Sequence, residues 1–386
     1  MLRFAFVTWL GFAACGRSPA TPDSLSPADV ATDVTGDGAY VPAPHRAWPQ
    51  VPPRGGVVLS AMRLVWITTP DDAAGRTYYA PLFAELAAPG NTWWNAVAGE
   101  YDVAPPREVI AVQGVTALTG TTELSLTQLR AYVASAIASD SSLTPDGTTL
   151  YVLLLPEKVG AGSPCSAGGS HTKYGSLGDG WAHITRCSAT TGTYTTTHEI
   201  IEGATDPSGN GYEIAFDAST AWTSSVFAAT DGELADLCET MGSYFASDVK
   251  YQRSWSNAAA ATGGAPCVPA ATTPFFAASV DEDWYPISPG GSIDIPITGF
   301  ATAAIGNWEI TASVKPRPGP GSGAGYAVSV PTPSLGNGGS ATLTVTADST
   351  VAPGSWALVT LLSDGSSLGI PESYGVPIGV YVAATH

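Results

Sequence analysis

The sequence predicts a mixed α/β or α+β domain followed by an all-β sandwich. Up to about Pro269, short β-branched runs alternate with segments of helical periodicity, which indicates mixed helix and strand. Beyond that point only short runs separated by Gly, Pro, Asn and Asp remain. The 386 residues are enough for two domains of ordinary size. We place the first domain at residues 55–270 and the sandwich at 275–386.

The first 15 residues resemble the signal peptide of a bacterial lipoprotein. Arg3 precedes an apolar run over residues 4–14 that is too short to span a bilayer. The run ends in Phe12-Ala13-Ala14-Cys15, which is similar to a lipobox and implies cleavage before Cys15 and acylation of that residue. We therefore expect an exported protein anchored to the cell envelope, with Gly16 favouring an outer membrane. The alternative is an ordinary signal peptide and a secreted protein.

The cysteine count agrees with a lipid anchor. Five cysteines is an odd number for an exported protein. With Cys15 acylated, four remain, and an oxidising compartment would pair them. Four cysteines allow three connectivities, of which loop closure favours Cys165–Cys187 and Cys238–Cys267.

Residues 16–54 are rich in Pro, Ala and Asp and keep no helical or strand period. This composition predicts a disordered tether between the membrane and the folded part.

The first domain has three predicted strands and three predicted helices. The strands are short β-branched or continuously apolar runs at residues 62–68, 108–115 and 150–155. The run at 150–155 (LYVLLL) is typical of a strand covered on both faces. The helices are residues 78–86, 92–103 and the segment from Leu126 to Ile137, which Ser125 would cap.

The second domain contains no helical stretch. Its predicted strands are residues 292–297, 308–314, 326–330, 341–346, 355–362 and 375–382. This spacing resembles that of an immunoglobulin-like sandwich, although no internal cysteine pair is present. Such a sandwich would position the first domain or bind a surface ligand.

The charge balance disfavours one class of partner. The chain has 33 acidic and 15 basic side chains, giving a net charge of −18. A surface this acidic repels phosphate backbones, so we expect no nucleic-acid binding.

Candidate chemistry is concentrated in the segment TTTHEIIEGATDP, residues 195–207. His198 and Glu202 are four residues apart and share a helical face, with Glu199 beside them. This is the geometry of the zinc-protease motif H-E-x-x-H with Glu replacing the second His. Zn²⁺ accepts carboxylate ligands, and Glu199 would be the base that deprotonates a metal-bound water. The alternative is a capped amphipathic helix that begins either with Thr196 and Glu199 as a capping box or a few residues earlier.

A third ligand can come from about thirty residues downstream. There Glu233 and Asp236 are three residues apart and could share a helical face, which a disulfide at Cys238 would fix. His198, Glu199 and Glu202 followed by Thr205-Asp206-Pro207, together with this Glu-x-x-Asp-x-Cys, resemble the exordium or phosphate-induced protein family and bacterial zincin-like metallopeptidases.

This resemblance runs from Arg63 to about Pro269 and implies a zincin-like fold holding Zn²⁺. It favours Asp236 slightly over Glu233 as the third ligand, with Asp206 as a weaker candidate that otherwise turns the chain. Two histidines between the first cysteine pair, His171 and His183, are candidates for hydrogen bonding an oxyanion or for supporting the ligands. Their alternative is a surface-loop role.

We therefore expect a zinc-dependent hydrolase acting on peptide or protein substrates. The sequence departs from its relatives at Gly203, where Ala is usual, and at Gly211-Tyr212-Glu213, which replaces an aromatic element. The alternative is a non-catalytic surface or adhesion lipoprotein with a degenerate zincin-like fold, because carboxylate ligands weaken zinc affinity.

Overall fold

The computed structural model describes residues 39–118, 123–157, 159–161, 168–186, 192–214, 221–224, 232–316 and 325–383. The predicted signal peptide, the acylation of Cys15 and the pair Cys165–Cys187 lie outside these residues. Within them, no helix has both the length and the apolar character needed to cross a membrane.

The first part of the chain mixes helices and strands, as predicted. Its strands are β1 Arg63–Thr68, β2 Glu108–Gln113, β3 Glu123–Leu124, β4 Thr149–Leu154, β5 Gly160–Ala161, β6 Gly168–Lys173, β7 Gly180–Thr185, β8 Ser243–Ala246, β9 Val249–Gln252, β10 Ser254–Trp255 and β11 Cys267–Val268. Its helices are α1 Ala73–Leu86, α2 Thr92–Val97, α3 Leu126–Ser139, α4 Gly192–Thr205 and α5 Asn257–Ala261. The helix predicted over 92–103 is shorter, because the chain tightens into a 3₁₀ turn at Ala98–Tyr101.

Five of these strands form one sheet in the order β2-β1-β4-β7-β6. The first four are parallel to one another, and β6 runs antiparallel to β7 at the edge. Parallel strands need helical crossovers, which place helices on the sheet faces.

Both faces of the sheet centre are covered. In β4, Leu150 and Val152 pack into the core that contains α1, α2 and α4, whereas Tyr151 and Leu153 pack against α3. All six residues of β4 are buried. The prediction of a strand covered on both sides is therefore confirmed.

The start of α3 is also confirmed. Ser125 accepts a hydrogen bond from the backbone N–H of Gln128, and the Gln128 side chain accepts one from the backbone N–H of Ser125. This reciprocal pair satisfies two donors that a helix start leaves free.

Among its described residues, the second part of the chain contains strands and a 3₁₀ turn at Ser366–Leu368, and no α-helix. Its strands are β12 Phe276–Ser279, β13 Trp284–Ile287, β14 Ser292–Ala301, β15 Trp308–Pro316, β16 Tyr326–Ser329, β17 Ser334–Leu335, β18 Ser340–Ala347, β19 Trp356–Asp364 and β20 Ser373–Val382. They form two sheets, in the orders β12-β14-β18-β16 and β13-β20-β19-β15-β17. Side chains from both sheets, such as Leu343 and Val359, share one core. The chain is thus mostly β, with a sandwich-like second part.

The segment over residues 40–54 differs from the tether that its composition predicts. Tyr40 donates to the Ala301 carbonyl at 3.0 Å, and the His45 ring stacks on Phe300 with centroids 4.0 Å apart. Trp48 is buried, and Val51 is only 1% exposed. Aromatic and apolar side chains dock this Pro-rich segment because burying them offsets its loss of conformational freedom.

One predicted disulfide is present. Cys238 and Cys267 are joined, with their Cα atoms 5.7 Å apart. Trp255 pairs with Cys267 between β10 and β11 and is fully buried, so it packs beside the disulfide.

The two parts of the chain share a continuous interior. Trp48 contacts both Trp222 of the first part and Phe275 of the second, and Trp222 in turn contacts Trp255. Across the same junction, the buried Arg253 binds both carboxylate oxygens of Glu372 at 2.9 and 3.1 Å. These contacts give a physical reason for the two parts to unfold together.

We expect Glu372→Gln to lower the free energy of unfolding by about 2–3 kcal/mol, because it leaves the buried Arg253 charge without its partner. Urea denaturation followed by tryptophan fluorescence measures this change. The exposed Glu309 of β15 supplies the control, and Glu309→Gln should change stability by no more than about 0.5 kcal/mol. A loss below about 1 kcal/mol for Glu372→Gln, or a shift confined to one of two separate transitions, would contradict this coupling.

Candidate metal centre

The helix that carries the H-E-x-x-E sequence begins before Thr196, the residue that a capping box would place at its start. α4 begins at Gly192, and Thr196 lies inside it, donating its hydroxyl to the Gly192 carbonyl at 2.7 Å. The capping-box interpretation is therefore wrong, because the Thr196 hydroxyl bonds backwards within the helix. The helix ends at Thr205, two residues before Pro207.

His198 and Glu202 meet on one face of α4, as their spacing predicts. His198 Nε2 lies 2.9 Å from Glu202 Oε2. Ile200 and Ile201 are fully buried on the side that faces the core. The helix therefore presents its ionisable face away from its packing face.

Small residues bring α4 close to the sheet. A Cβ on Gly203 would lie 2.9 Å from Leu150 Cδ1, and one on Gly180 would lie 3.3 Å from the Gly203 carbonyl oxygen. The absence of a side chain at position 203 thus permits a close approach of helix and strand, which offsets the lower helix propensity of Gly.

Asp236 completes a group with His198 and Glu202. Its Oδ1 lies 3.5 Å from His198 Nε2, and its backbone N–H donates to Glu202 Oε1 at 3.0 Å. It begins the 3₁₀ turn Asp236–Cys238, which ends at the disulfide.

Glu233 contacts a different histidine from Asp236. It precedes the 3₁₀ turn, and its carbonyl accepts from the backbone N–H of Leu237 at 3.2 Å. Its Oε1 lies 3.2 Å from His171 Nε2, whereas Asp236 Oδ1 lies near His198. The two acids therefore face different histidines.

His171 comes from the edge strand β6 rather than from a surface loop. Its Nδ1 lies 3.1 Å from Glu199 Oε2 and 3.7 Å from Glu202 Oε2. The strand can run this close to α4 because of Gly169, where a Cβ would lie 2.6 Å from Glu199 Cγ. His171 thus contacts both carboxylates of the helix motif.

His183 lies on β7 and is only 5% exposed, so a surface-loop role is wrong for it as well. Its Nδ1 is 3.5 Å from Ser170 Oγ, and its ring lies beside Trp181. Its contacts are those of a buried residue behind the edge strand.

Gln252 is a site residue that the sequence analysis missed. Its Nε2 donates to the Ala235 carbonyl at 2.6 Å, and its Oε1 lies 3.0 Å from His198 Nδ1. Because the Ala235 carbonyl can only accept, the amide orientation is fixed and Oε1 must accept from Nδ1–H. In the neutral imidazole the lone pair is then on Nε2, the nitrogen that faces Glu202 and Asp236. No sequence pattern marks a Gln on a short strand 54 residues away from its partner.

The side chains of Asp206 and Tyr212 make contacts outside the group of His198, Glu202 and Asp236. Asp206 Oδ1 accepts from the backbone N–H groups of Asn210 and Gly211, which is the turn role. The hydroxyl of Tyr212 donates to Asp102 Oδ2 at 2.8 Å.

The electrostatics of the group follow from its burial. Burial, followed by the charge of Glu202, raises the pKa of Asp236 well above its usual value. Burial and Glu202 likewise raise the pKa of Glu233 to about 7, against the opposing effect of His171. Burial also opposes ionisation of Glu202, but the charge and hydrogen bond of His198 outweigh it and lower the pKa of Glu202.

The pKa values of the three histidines shift in two different directions. Burial lowers the pKa of His198 and His171, but the adjoining carboxylates outweigh it and hold both pKa values well above the usual one. For His198 the main carboxylate is Glu202, and for His171 it is Glu233. Burial dominates at His183 and lowers its pKa.

Two sets of donor atoms lie within metal-binding distance of one another. Within each set the donor atoms are no more than 4.8 Å apart: His198, Glu202 and Asp236 in one, and His171, Glu202 and Glu233 in the other. An imidazole with two carboxylates is a donor set that Zn²⁺ accepts, and the Gln252 contact leaves the ligand nitrogen of His198 free. The residues therefore fit the ion that the sequence led us to expect.

Comparison with known proteins gives no family. No protein-family model matches the chain, and no curated protein is similar to it. Surface layer protein SbsC, domains 1–6, is 18% identical over 31% of this chain, with a TM-score of 0.22. A family 123 glycoside hydrolase from Clostridium perfringens is 8% identical over 29%, with a TM-score of 0.19. The chain spans only 14% and 28% of these two proteins. Domain 1 of VCBP3 from Branchiostoma floridae is 12% identical over 30% of this chain and 99% of its own length, with a TM-score of 0.19.

In metal-free protein, we expect His198 and His171 to titrate well above pH 6.5 and His183 below it. Histidine-selective NMR across pH 4–10 measures all three. Protonation of the first two stabilises the fold, so their contribution is fully present below pH 6.5 and is lost as the pH rises through their raised pKa values. The reverse order, with His183 titrating highest, would contradict the ion-pair network.

Proposed function

We propose that this chain is an exported zinc-dependent hydrolase that cleaves peptide bonds at the surface of the cell envelope. The proposal rests on the orientation of the His198 ring, whose Nε2 faces two carboxylates. Gln252 fixes its tautomer from behind, and two carboxylates, those of Glu202 and Asp236, lie in front of it.

His198, Glu202 and Asp236 are the residues that would hold Zn²⁺. Bound zinc supplies Lewis acidity, which makes water a competent nucleophile near neutral pH and polarises a carbonyl. His198 and Asp236 are 16% and 17% exposed in their side chains, whereas Glu202 is 2% exposed. His198 and Asp236 are thus the members of the group that keep some contact with solvent.

Glu199 is the candidate general base. It follows His198 directly on α4 and is 4% exposed. In the proposed reaction its carboxylate accepts a proton from the attacking water while the new C–O bond forms. It then returns the proton to the leaving amine as the C–N bond breaks.

The overall assignment as a zincin-like domain remains part of this proposal. It is supported by a mixed sheet whose antiparallel edge strand β6 lies beside the helix that carries the motif. The lipid anchor at Cys15 and a surface ligand for the second, sandwich-like part complete the proposal. The net charge of −18 argues against nucleic-acid partners.

We expect Glu199→Gln to keep bound zinc and to lower peptide cleavage by about 10²–10⁴-fold, because it removes the base and spares the ligands. His198→Ala should lose the zinc held by His198, Glu202 and Asp236 and, with it, cleavage. Elemental analysis and hydrolysis of a quenched-fluorescent peptide library measure the two properties. The exposed Glu108 of β2 provides the control, and Glu108→Gln should behave like wild type.

Wild-type protein that binds no zinc would overturn the proposal, as would Glu199→Gln cleaving as fast as wild type. In either case a non-catalytic surface or adhesion lipoprotein becomes the better description.

We also expect Gln252→Leu to weaken zinc affinity by about 10–100-fold, because His198 loses the partner that orients its ring. Competition with a chromophoric chelator measures the affinity, and the exposed Gln50 supplies the control Gln50→Leu. Zinc affinity in Gln252→Leu equal to that of wild type would contradict a role through His198.

A further inference from the structure

Glu202 Oε2 lies between two histidines from different elements. His198 Nε2, on α4, is 2.9 Å from it, and His171 Nδ1, on β6, is 3.7 Å from it. Each histidine has its own second carboxylate, Asp236 for His198 and Glu233 for His171. The donors thus form two sets that share one oxygen.

His171 is held in place as firmly as His198. Its Nε2 lies 3.2 Å from the backbone carbonyl of Asp206 as well as from Glu233. Its side chain is 9% exposed. A metal-ligating histidine commonly has its other ring nitrogen bonded to a carbonyl or carboxylate, and both rings here meet that condition.

The carboxylates of this cluster have histidines as their cationic partners. Four of them, those of Glu199, Glu202, Glu233 and Asp236, lie within 3.7 Å of the two imidazoles. Among the described residues, no Arg or Lys forms an ion pair with any of them. Full ionisation of all four acids therefore requires cations from outside the chain, because burial raises the pKa of Glu233 and Asp236.

A further carboxylate adjoins the His171 side of the cluster. Asp206 is fully buried, and its Oδ2 has no hydrogen-bond partner in the described part of the chain. A buried carboxylate oxygen without a partner is costly unless a cation lies nearby. The Asp206 oxygen without a partner thus favours a cation near this site, separately from the distances between the histidines and the acids.

We propose that the centre holds two divalent transition-metal cations, one on His198, Glu202 and Asp236 and the other on His171, Glu202 and Glu233, with Glu202 shared between them. Two divalent cations balance four carboxylates while both imidazoles stay neutral, which is the state in which histidine binds metal. The imidazoles favour zinc and similar transition-metal ions over calcium, and the carboxylates also accommodate Mn²⁺.

This proposal rests on the proposed function and deepens it. In a two-metal site, the second ion helps to bind the substrate carbonyl or the attacking oxygen. Glu199, which is 3.1 Å from His171 Nδ1, then lies beside both donor sets and keeps its role as the base.

The test is metal stoichiometry of the purified protein. Chelator-stripped protein is dialysed against excess Zn²⁺, and zinc per chain is measured by elemental analysis. We expect two ions in wild type and one in both His171→Ala and Glu233→Gln, with Glu108→Gln as the control that keeps two. Circular dichroism checks the fold of each variant. In wild type loaded with Mn²⁺, paramagnetic resonance should show two coupled ions, which requires no substitution.

The failures of the two proposals are distinguishable. One zinc per chain that is kept in His171→Ala and Glu233→Gln but lost in His198→Ala overturns the second site and leaves the proposed function standing. Two ions that both survive His171→Ala and Glu233→Gln also overturn the second site. No zinc in wild type overturns both proposals.

Discussion

The site depends on the contacts that the buried carboxylate of Glu202 makes. Its side chain is 2% exposed, and its two oxygens contact three separate elements. Oε2 faces His198 on the same helix and His171 on the edge strand, while Oε1 accepts from the backbone of Asp236. An ionised carboxylate is stable at such burial only where it is paired and hydrogen-bonded, and these contacts lower its pKa. Helix, strand and turn are thus held together by one group.

The backbone around Glu202 supports this arrangement. Gly169 and Gly203 let the edge strand and the sheet approach α4 more closely than a Cβ would allow. The disulfide at Cys238 follows Asp236 by two residues and ties the turn to β11. Gln252 then connects the Ala235 carbonyl in that turn to the His198 ring. Ligand orientation therefore comes from several rigid supports rather than from α4 alone.

The sandwich-like part is physically joined to the part that carries the site. Arg253, one residue after Gln252, binds Glu372 of the second part and the carbonyls of Pro269 and Met241. Trp48, in the segment that the sequence predicted as a tether, packs against Trp222 and Phe275. The strand that positions His198 is thus coupled through its next residue to the sandwich. Stability of the second part then contributes to the geometry of the centre.

Local periodicity was enough to predict β1, β2 and β4, the Ser125 cap, and the pairing of His198 with Glu202 on one helical face, but it did not identify β6 and β7 of the same sheet. These features depend on residues within a few positions of one another, and repeat spacing reports them directly. Loop length also favoured Cys238–Cys267 over longer pairings. What local patterns left undecided were contacts between residues far apart in sequence. His171 and Glu233 are 62 positions apart, His198 and Gln252 are 54 apart, and the docking of residues 40–54 joins opposite ends of the chain. Only the tertiary structure decided these, because strand order and close backbone approach determine which distant side chains meet.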